Sequence, residues 1–196
     1  LPAFRHKRWL FCVNDSYELD DKGRVVLHTS SQVQQGMTFV NTEKYSYDNA
    51  GYLVKIDLAG NGSIYSVITY EVNNGNYQKF SLSNSKDGKI TRQYVFSYNN
   101  TKVTSPFSMF TALFANNTYS AIEKYLNFGK QSVNQMSSVD YSILNLNGDL
   151  RIGTLNVISQ LDEARNIVKL ELIGNKIEGT PSDNLSPLPR SVSFSE

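Results

Sequence analysis

The sequence predicts an all-β protein, an antiparallel meander of about 8–12 strands curled into a barrel or half-barrel, with one short helical insertion. Three observations predict it. Segments with apolar residues at every second position recur along the chain. Turn sequences built on Asp or Asn followed by Gly separate them. The composition also favours sheet: 12 Tyr and 10 Phe occur among 196 residues, and only 19% are charged, against a usual ~25%.

The chain opens with a basic run, Arg5-His6-Lys7-Arg8, beside Trp9. A solvated arm is the simpler reading, and contact with an anionic membrane surface is the other. Trp9-Leu10-Phe11-Cys12-Val13 alternates and puts Cys12 in an apolar setting that suits a buried, inert thiol. It is the only cysteine, so no internal disulfide forms.

The first turn motif is Leu19-Asp20-Asp21-Lys22-Gly23-Arg24-Val25-Val26, with Asp and Gly three apart. Residues 44–56, KYSYDNAGYLVKI, give its fullest form. Tyr45 and Tyr47 fall on one strand face. Asp48 starts the turn through its side chain, Gly51 accepts positive φ, and Leu53-Val54-Lys55-Ile56 begins the return strand. Gly60-Asn61-Gly62 and Asn73-Asn74-Gly75-Asn76 read as tight hairpin turns. Ile64, Ser66, Ile68, Tyr70 and Val72 alternate between them. Looser copies of the motif occupy 85–90 and 145–150, and 161–170 repeats it with Arg165 in place of the glycine. Tyr94, Phe96 and Tyr98 alternate, as do Val168, Leu170 and Leu172. One apolar and one polar face describe an antiparallel sheet wet on one side. The turns are irregularly spaced, which favours a meander over a solenoid. A meander this long must curl, close or pack on itself to bury its apolar face.

One region breaks the pattern. Ser105-Pro106 is a helix-start signal, and Met109, Phe110, Leu113 and Phe114 then share a helical face. Ser120-Ala121-Ile122-Glu123 has capping-box spacing, Ile122, Tyr125 and Leu126 share a face, and Gly129 closes the segment. The expectation is a helical insertion over about 106–128 that plugs one end of the sheet. The tail, about 179–196, holds three of the five prolines and reads as an extended segment or edge strand anchored by Val192 and Phe194. No linker divides the chain, so residues 1–196 are expected to form one domain.

Tyr45-x-Tyr47-Asp48-x-x-Gly51-x-Leu53 resembles the YD-type hairpin repeat of Rhs and teneurin shells. Over roughly 19–173 the chain more closely resembles a family of secreted or lipid-anchored envelope proteins of gut Bacteroidetes, a family of unknown function with a porin-like fold. The Tyr-Asp-Gly hairpins carry this resemblance, with the strand Tyr94-Val95-Phe96-Ser97-Tyr98-Asn99-Asn100, Ser105-Pro106-Phe107 after it, and Tyr125-Leu126-Asn127-Phe128-Gly129-Lys130. It implies a barrel-like meander, location in the cell envelope (periplasm or cell surface) or secretion, and no assigned activity. Cys12 lacks the small residues of a lipobox, so a lipid anchor would lie upstream of Leu1 or be absent. The strand faces carry Lys, Glu, Ser and Gln where a lipid-facing band would be apolar.

Little in the chain points to chemistry. Net charge is +1, which gives no basic footprint for nucleic acid. No apolar run reaches the ~18 residues of a transmembrane helix. The two histidines and one cysteine form no zinc or EF-hand motif. Asp15, Glu18, Asp20 and Asp21 cluster near a turn. They are read as turn residues rather than calcium ligands. His28 is read as a solvated or hydrogen-bonded strand-end residue, since no serine lies in a nucleophile motif. Asp57, Asp140, Asp149 and Glu171 are carboxylates without a visible pairing. Tyrosines interleaved with Asn, Ser and Gln suit sugar recognition, by stacking and hydrogen bonding.

The expected function is therefore non-catalytic: an envelope or secreted protein that binds an extracellular ligand, glycan being the leading class, with an envelope protein as the other partner class. The alternative is a carrier that holds a small apolar ligand in the barrel mouth. Phe110, Phe114 and Tyr119 are the candidate ligand-binding residues. No enzyme activity, metal or cofactor is expected.

Overall fold

The computed structural model describes residues 13–34, 36–104, 126–145, 148–174 and 191–193. They form eleven strands in one sheet. The first five are β1 (Val13–Leu19), β2 (Val25–Gln34), β3 (Met37–Tyr47), β4 (Leu53–Gly60) and β5 (Ser63–Asn73). β6 (Asn76–Asn84), β7 (Ile90–Lys102) and β8 (Asn134–Leu144) follow. β9 (Leu150–Leu161), β10 (Ile167–Gly174) and β11 (Ser191–Ser193) complete the sheet. Each strand pairs antiparallel with the next in sequence. The expected meander is therefore what forms. The sheet order is open: among the described residues no ladder joins β1 to β10 or β11, and β11 holds to β10 through only three residue pairs. A closed barrel is thus not part of the described sheet.

The turns follow from their sequences. In the β1–β2 turn, Asp20 N donates to Arg24 O (2.8 Å), Gly23 N donates to Asp20 O (3.0 Å), and Asp20 Oδ1 accepts the Arg24 amide (2.8 Å). The same pattern recurs with Asp48, Gly51 and Tyr52 and with Asp162, Arg165 and Asn166. Each is a three-residue loop whose last residue lies in the left-handed region, as in a type I turn with a G1 bulge. Between β4 and β5, and between β5 and β6, the turns are tighter: Asn61-Gly62 and Asn74-Gly75 have positive φ at both positions, the mark of type I′.

Strand alternation then assembles the core. Tyr45, Ile56, Ile68 and Leu82 are cross-strand neighbours on β3 to β6. Val25, Tyr45, Leu53 and Ile56 form one buried group, and Phe80, Tyr94, Phe96, Val139, Tyr141, Leu155 and Val157 belong to a larger one. Ile68 and Tyr70 pack against both, so the apolar face is continuous. Phe80 and Tyr94 are each only 1% exposed. Register shifts interrupt several ladders, for example at Leu58/Ala59 and Leu82/Ser83. Such bulges bend a strand and increase its twist.

The described part of the connection from β7 to β8 lies across one end of this face. Its final part, residues 126–133, runs across the ends of the β1–β2, β3–β4 and β5–β6 hairpins. Val25 N donates to Asn127 O (2.9 Å), Lys130 N to Gly51 O (2.9 Å) and Val133 N to Gly75 O (3.1 Å). Phe128 packs on Tyr45, with ring centroids 5.3 Å apart. At its start, Thr104 N donates to Arg165 O (3.2 Å) in the β9–β10 turn. The segment therefore acts as a strap over the hairpin ends.

The strap corrects part of the helical expectation. Residues 105–125 lie outside the described residues. Of the expected insertion, Leu126, Asn127 and Phe128 are described and are not helical, because Asn127 instead bridges Arg24 as an isolated parallel pair. Gly129 has the positive φ expected of it (+88°) for a different reason. A Cβ there would sit 2.6 Å from Gly51 O, so the strap can lie this close only with glycine. Most of the tail is likewise outside the described residues; residues 191–193 of it form the edge strand β11.

Candidate functional site

The strap and two hairpin turns border a shallow, open cleft of about 370 Å³, lined by Lys22, Arg24, Asn49, Ala50, Gly51, Asn127, Gly129 and Lys130. Three segments distant in sequence meet there: the β1–β2 turn, the β3–β4 turn and the strap. Its volume falls in the usual range of ligand sites, ~300–1,000 Å³.

Arg24 and Asn127 are held by their local fold. Asp20 takes the Nε and Nη2 of Arg24 at 2.8 and 2.6 Å. Hydrogen bonds from the Arg24 amide and guanidinium hold the Asp20 carboxyl below its ordinary range. The Arg24 guanidinium lies 4.3 Å over the Tyr47 ring, whose hydroxyl donates to Val25 O (2.6 Å). Burial pushes the Tyr47 phenol up to about 12, so it stays neutral. Arg24 Nη1 remains toward the cleft, 3.7 Å from where a Cβ on Gly51 would be. Lys130 Cε lies 3.9 Å from that same point, and its ammonium is 5.7 Å from the Tyr52 ring centroid. Lys22 and Lys130 are exposed and form no ion pair among the described residues. Asn127 Oδ1 accepts the Gly129 amide (2.9 Å).

Buried Tyr77 and half-buried Tyr98 fix the strap. Tyr77 Oη accepts the Leu53 amide (3.0 Å) and donates to Lys130 O (3.2 Å). Tyr98 Oη donates to Tyr77 O (2.6 Å) and lies 3.0 Å from Ser132 Oγ. Burial raises the pKa of both phenols. These tyrosines hold structure rather than present stacking faces. A row of exposed aromatics, the mark of a sugar platform, is not found among the described residues, where Tyr65 is the one large exposed aromatic.

A second group of titratable side chains converges across β1, β2 and β3. His28 is not at a strand end. Its ring stacks on Tyr17, with centroids 4.4 Å apart and planes 5° from parallel. Its Nε2 is 3.1 Å from Asp15 Oδ1 and its Nδ1 is 3.6 Å from Glu43 Oε2. Tyr45 donates its hydroxyl to Glu43. Glu43, and then Asp15, favour the charged ring and raise the His28 pKa above its ordinary 6.5, against burial. Burial alone would raise the Glu43 pKa, but His28 and Tyr45 outweigh it and hold it below 4.5. The arrangement is an ion-paired clamp on three strands.

The remaining predicted residues fall as follows. Phe110, Phe114 and Tyr119 lie outside the described residues, as do His6 and Cys12. The carboxylates do not converge: Asp57 pairs with Lys55 (2.8 Å), Glu171 with Lys169 (2.6 Å), and Asp140 accepts the Thr154 hydroxyl (2.6 Å) on separate strands. Nor does the acidic cluster gather, since Asp15 goes to His28 and Asp20 to Arg24. Among the described residues no group of three His, Cys, Asp or Glu is placed to hold a metal. Sequence reading passed over Lys22 and Lys130. They lie far apart in the chain, and only the strap brings them to one cleft.

No protein-family model matches the chain, and no curated protein matches it. Among solved structures it is similar to a porin-like protein from Bacteroides uniformis ATCC 8492. The two are 12% identical over 86% of this chain and 85% of that one, with a TM-score of 0.32. A likeness of that degree says nothing about the site. Among the described residues no helix is long and apolar enough to cross a membrane.

Proposed function

We propose that this is a non-catalytic binding protein of the cell envelope or secreted space, and that its ligand is an extracellular glycan. The observation that supports the reading is the cleft under the strap. Amide side chains of Asn49 and Asn127, turn backbone and cationic side chains share one open concavity on a buried scaffold. Such groups hydrogen-bond hydroxyls readily, and sites held by rigid elements bind with less ordering cost. The envelope location rests on the resemblance of the hairpin motifs to the Bacteroidetes family.

A thermal-shift screen against host and dietary glycans tests the proposal. A ligand at ~100 times its Kd stabilises by about 2.7 kcal/mol, and each kcal/mol moves the midpoint of a domain of this size by ~2–4 °C. A shift of several degrees with one glycan class is expected. Flat curves across the panel would remove glycan as the ligand.

A further inference from the structure

We infer that the cleft selects acidic saccharides, taking a sugar carboxylate against Lys22, Arg24 and Lys130. The inference rests on the glycan-binding reading and adds the class of sugar.

Four features of the cleft carry it. First, three of its eight lining residues are cations and none is an acid. Second, those cations are not equally spent. Asp20 occupies Nε and Nη2 of Arg24, which leaves Nη1 as the donor on the cleft side. Lys22 and Lys130 have no carboxylate partner among the described residues. Asp48, on the neighbouring turn, has its Oδ1 on the Tyr52 amide at 2.8 Å, and Asp21 is not among the lining residues. Third, Arg24 Nη1 and the Lys130 Cε both lie within 4 Å of the space that Gly51 leaves empty. The guanidinium and the aliphatic chain of the lysine therefore lie beside one place, with the ammonium over the Tyr52 ring. Fourth, the guanidinium is fixed by Asp20 and by Tyr47, so little ordering is left to do on binding.

A compact oxyanion is what such donors bind best, since hydrogen bonds between two charged groups are stronger than neutral ones. Around this centre the cleft offers amides, from Asn49 and Asn127, to sugar hydroxyls. A neutral saccharide would leave the lysines unused. A bare inorganic anion would leave the amides unused. A uronic acid uses both.

Titration calorimetry at low ionic strength tests the inference, with a galacturonic-acid oligomer, a neutral galactose oligomer of equal length, and sodium sulfate as probes. Wild type and the double variant Lys22→Gln/Lys130→Gln are compared. Both lysines are exposed and have no ion-pair partner among the described residues, so the variant is expected to melt close to wild type. The uronate oligomer should bind wild type, weaken by about tenfold or more in the double variant, and weaken again as salt shortens the screening length. The neutral oligomer and sulfate should bind far more weakly. Neutral and acidic oligomers binding alike, undiminished in the variant, would overturn the acidic preference and leave glycan binding standing. Sulfate binding as tightly as the uronate would overturn the saccharide part. No binding by either oligomer would overturn the acidic-saccharide inference, and flat melting curves across the glycan panel would overturn the reading beneath it.

Discussion

At the residue scale, two environments make separate predictions. His28 has a raised pKa and Glu43 a lowered one. A raised base stabilises fully below its unfolded value and loses that contribution as pH rises through the folded value. A depressed acid stabilises fully above its unfolded value and loses it as pH falls through the folded one. The clamp is therefore complete between pH 4.5 and 6.5, the ordinary values of the two groups. Unfolding free energies from urea titrations between pH 4 and 9 should fall on the alkaline side of that window, by about 0.5–1 kcal/mol from this source. In Glu43→Gln the alkaline fall should shrink. An unchanged profile would mean that the ion pair contributes nothing. The second environment is Gly129, where positive φ and the 2.6 Å approach to Gly51 O act together. Gly129→Ala should cost about 2–3 kcal/mol. Gly88 also has positive φ but nothing within 4 Å of its would-be Cβ. Gly88→Ala should cost only about 1 kcal/mol. Equal losses in urea unfolding would mean that strap contact adds nothing at Gly129.

At the scale of elements, the hairpins were legible and the strap was not. Asp20, Asp48 and Asp162 wrote their turns locally, because an Asp side chain and a left-handed residue three positions on are sufficient. Arg165 shows the limit of the rule. It holds φ at +65° without glycine's freedom, and the turn still forms. Arg165→Gly should relieve that strain and stabilise by up to about 1 kcal/mol. The expected rise in melting midpoint is ~2–4 °C, and a fall would show that the arginine side chain holds the turn. The strap has no such local signature. Its partners are backbone carbonyls and amides of hairpins 50 to 100 or so residues earlier in the chain, and no periodicity encodes them. Gly129 therefore read as a helix end although its reason is a close approach. His28 read as a strand end for a related cause. Its neighbours Tyr17 and Glu43 are set by ladder register, Tyr17↔His28 and His28↔Glu43, which alternation alone does not fix.

At the scale of the whole molecule, a sheet of eleven strands supplies one continuous apolar face, and the strap caps that face at one end. The cleft exists because of this topology. Lys22 comes from the first turn, Gly51 from the third, and Lys130 from the strap that crosses both. The sequence announced the sheet through its alternation and turns, but it could not announce a site composed by a crossing. Amide hydrogen exchange, read residue by residue in the free protein, tests the crossing most directly. The amides of Val25, Lys130 and Val133, which bond between strap and hairpin ends, should exchange as slowly as those within the neighbouring ladders. Exchange of those three at free-chain rates, with the ladders still protected, would contradict the strap and with it the cleft.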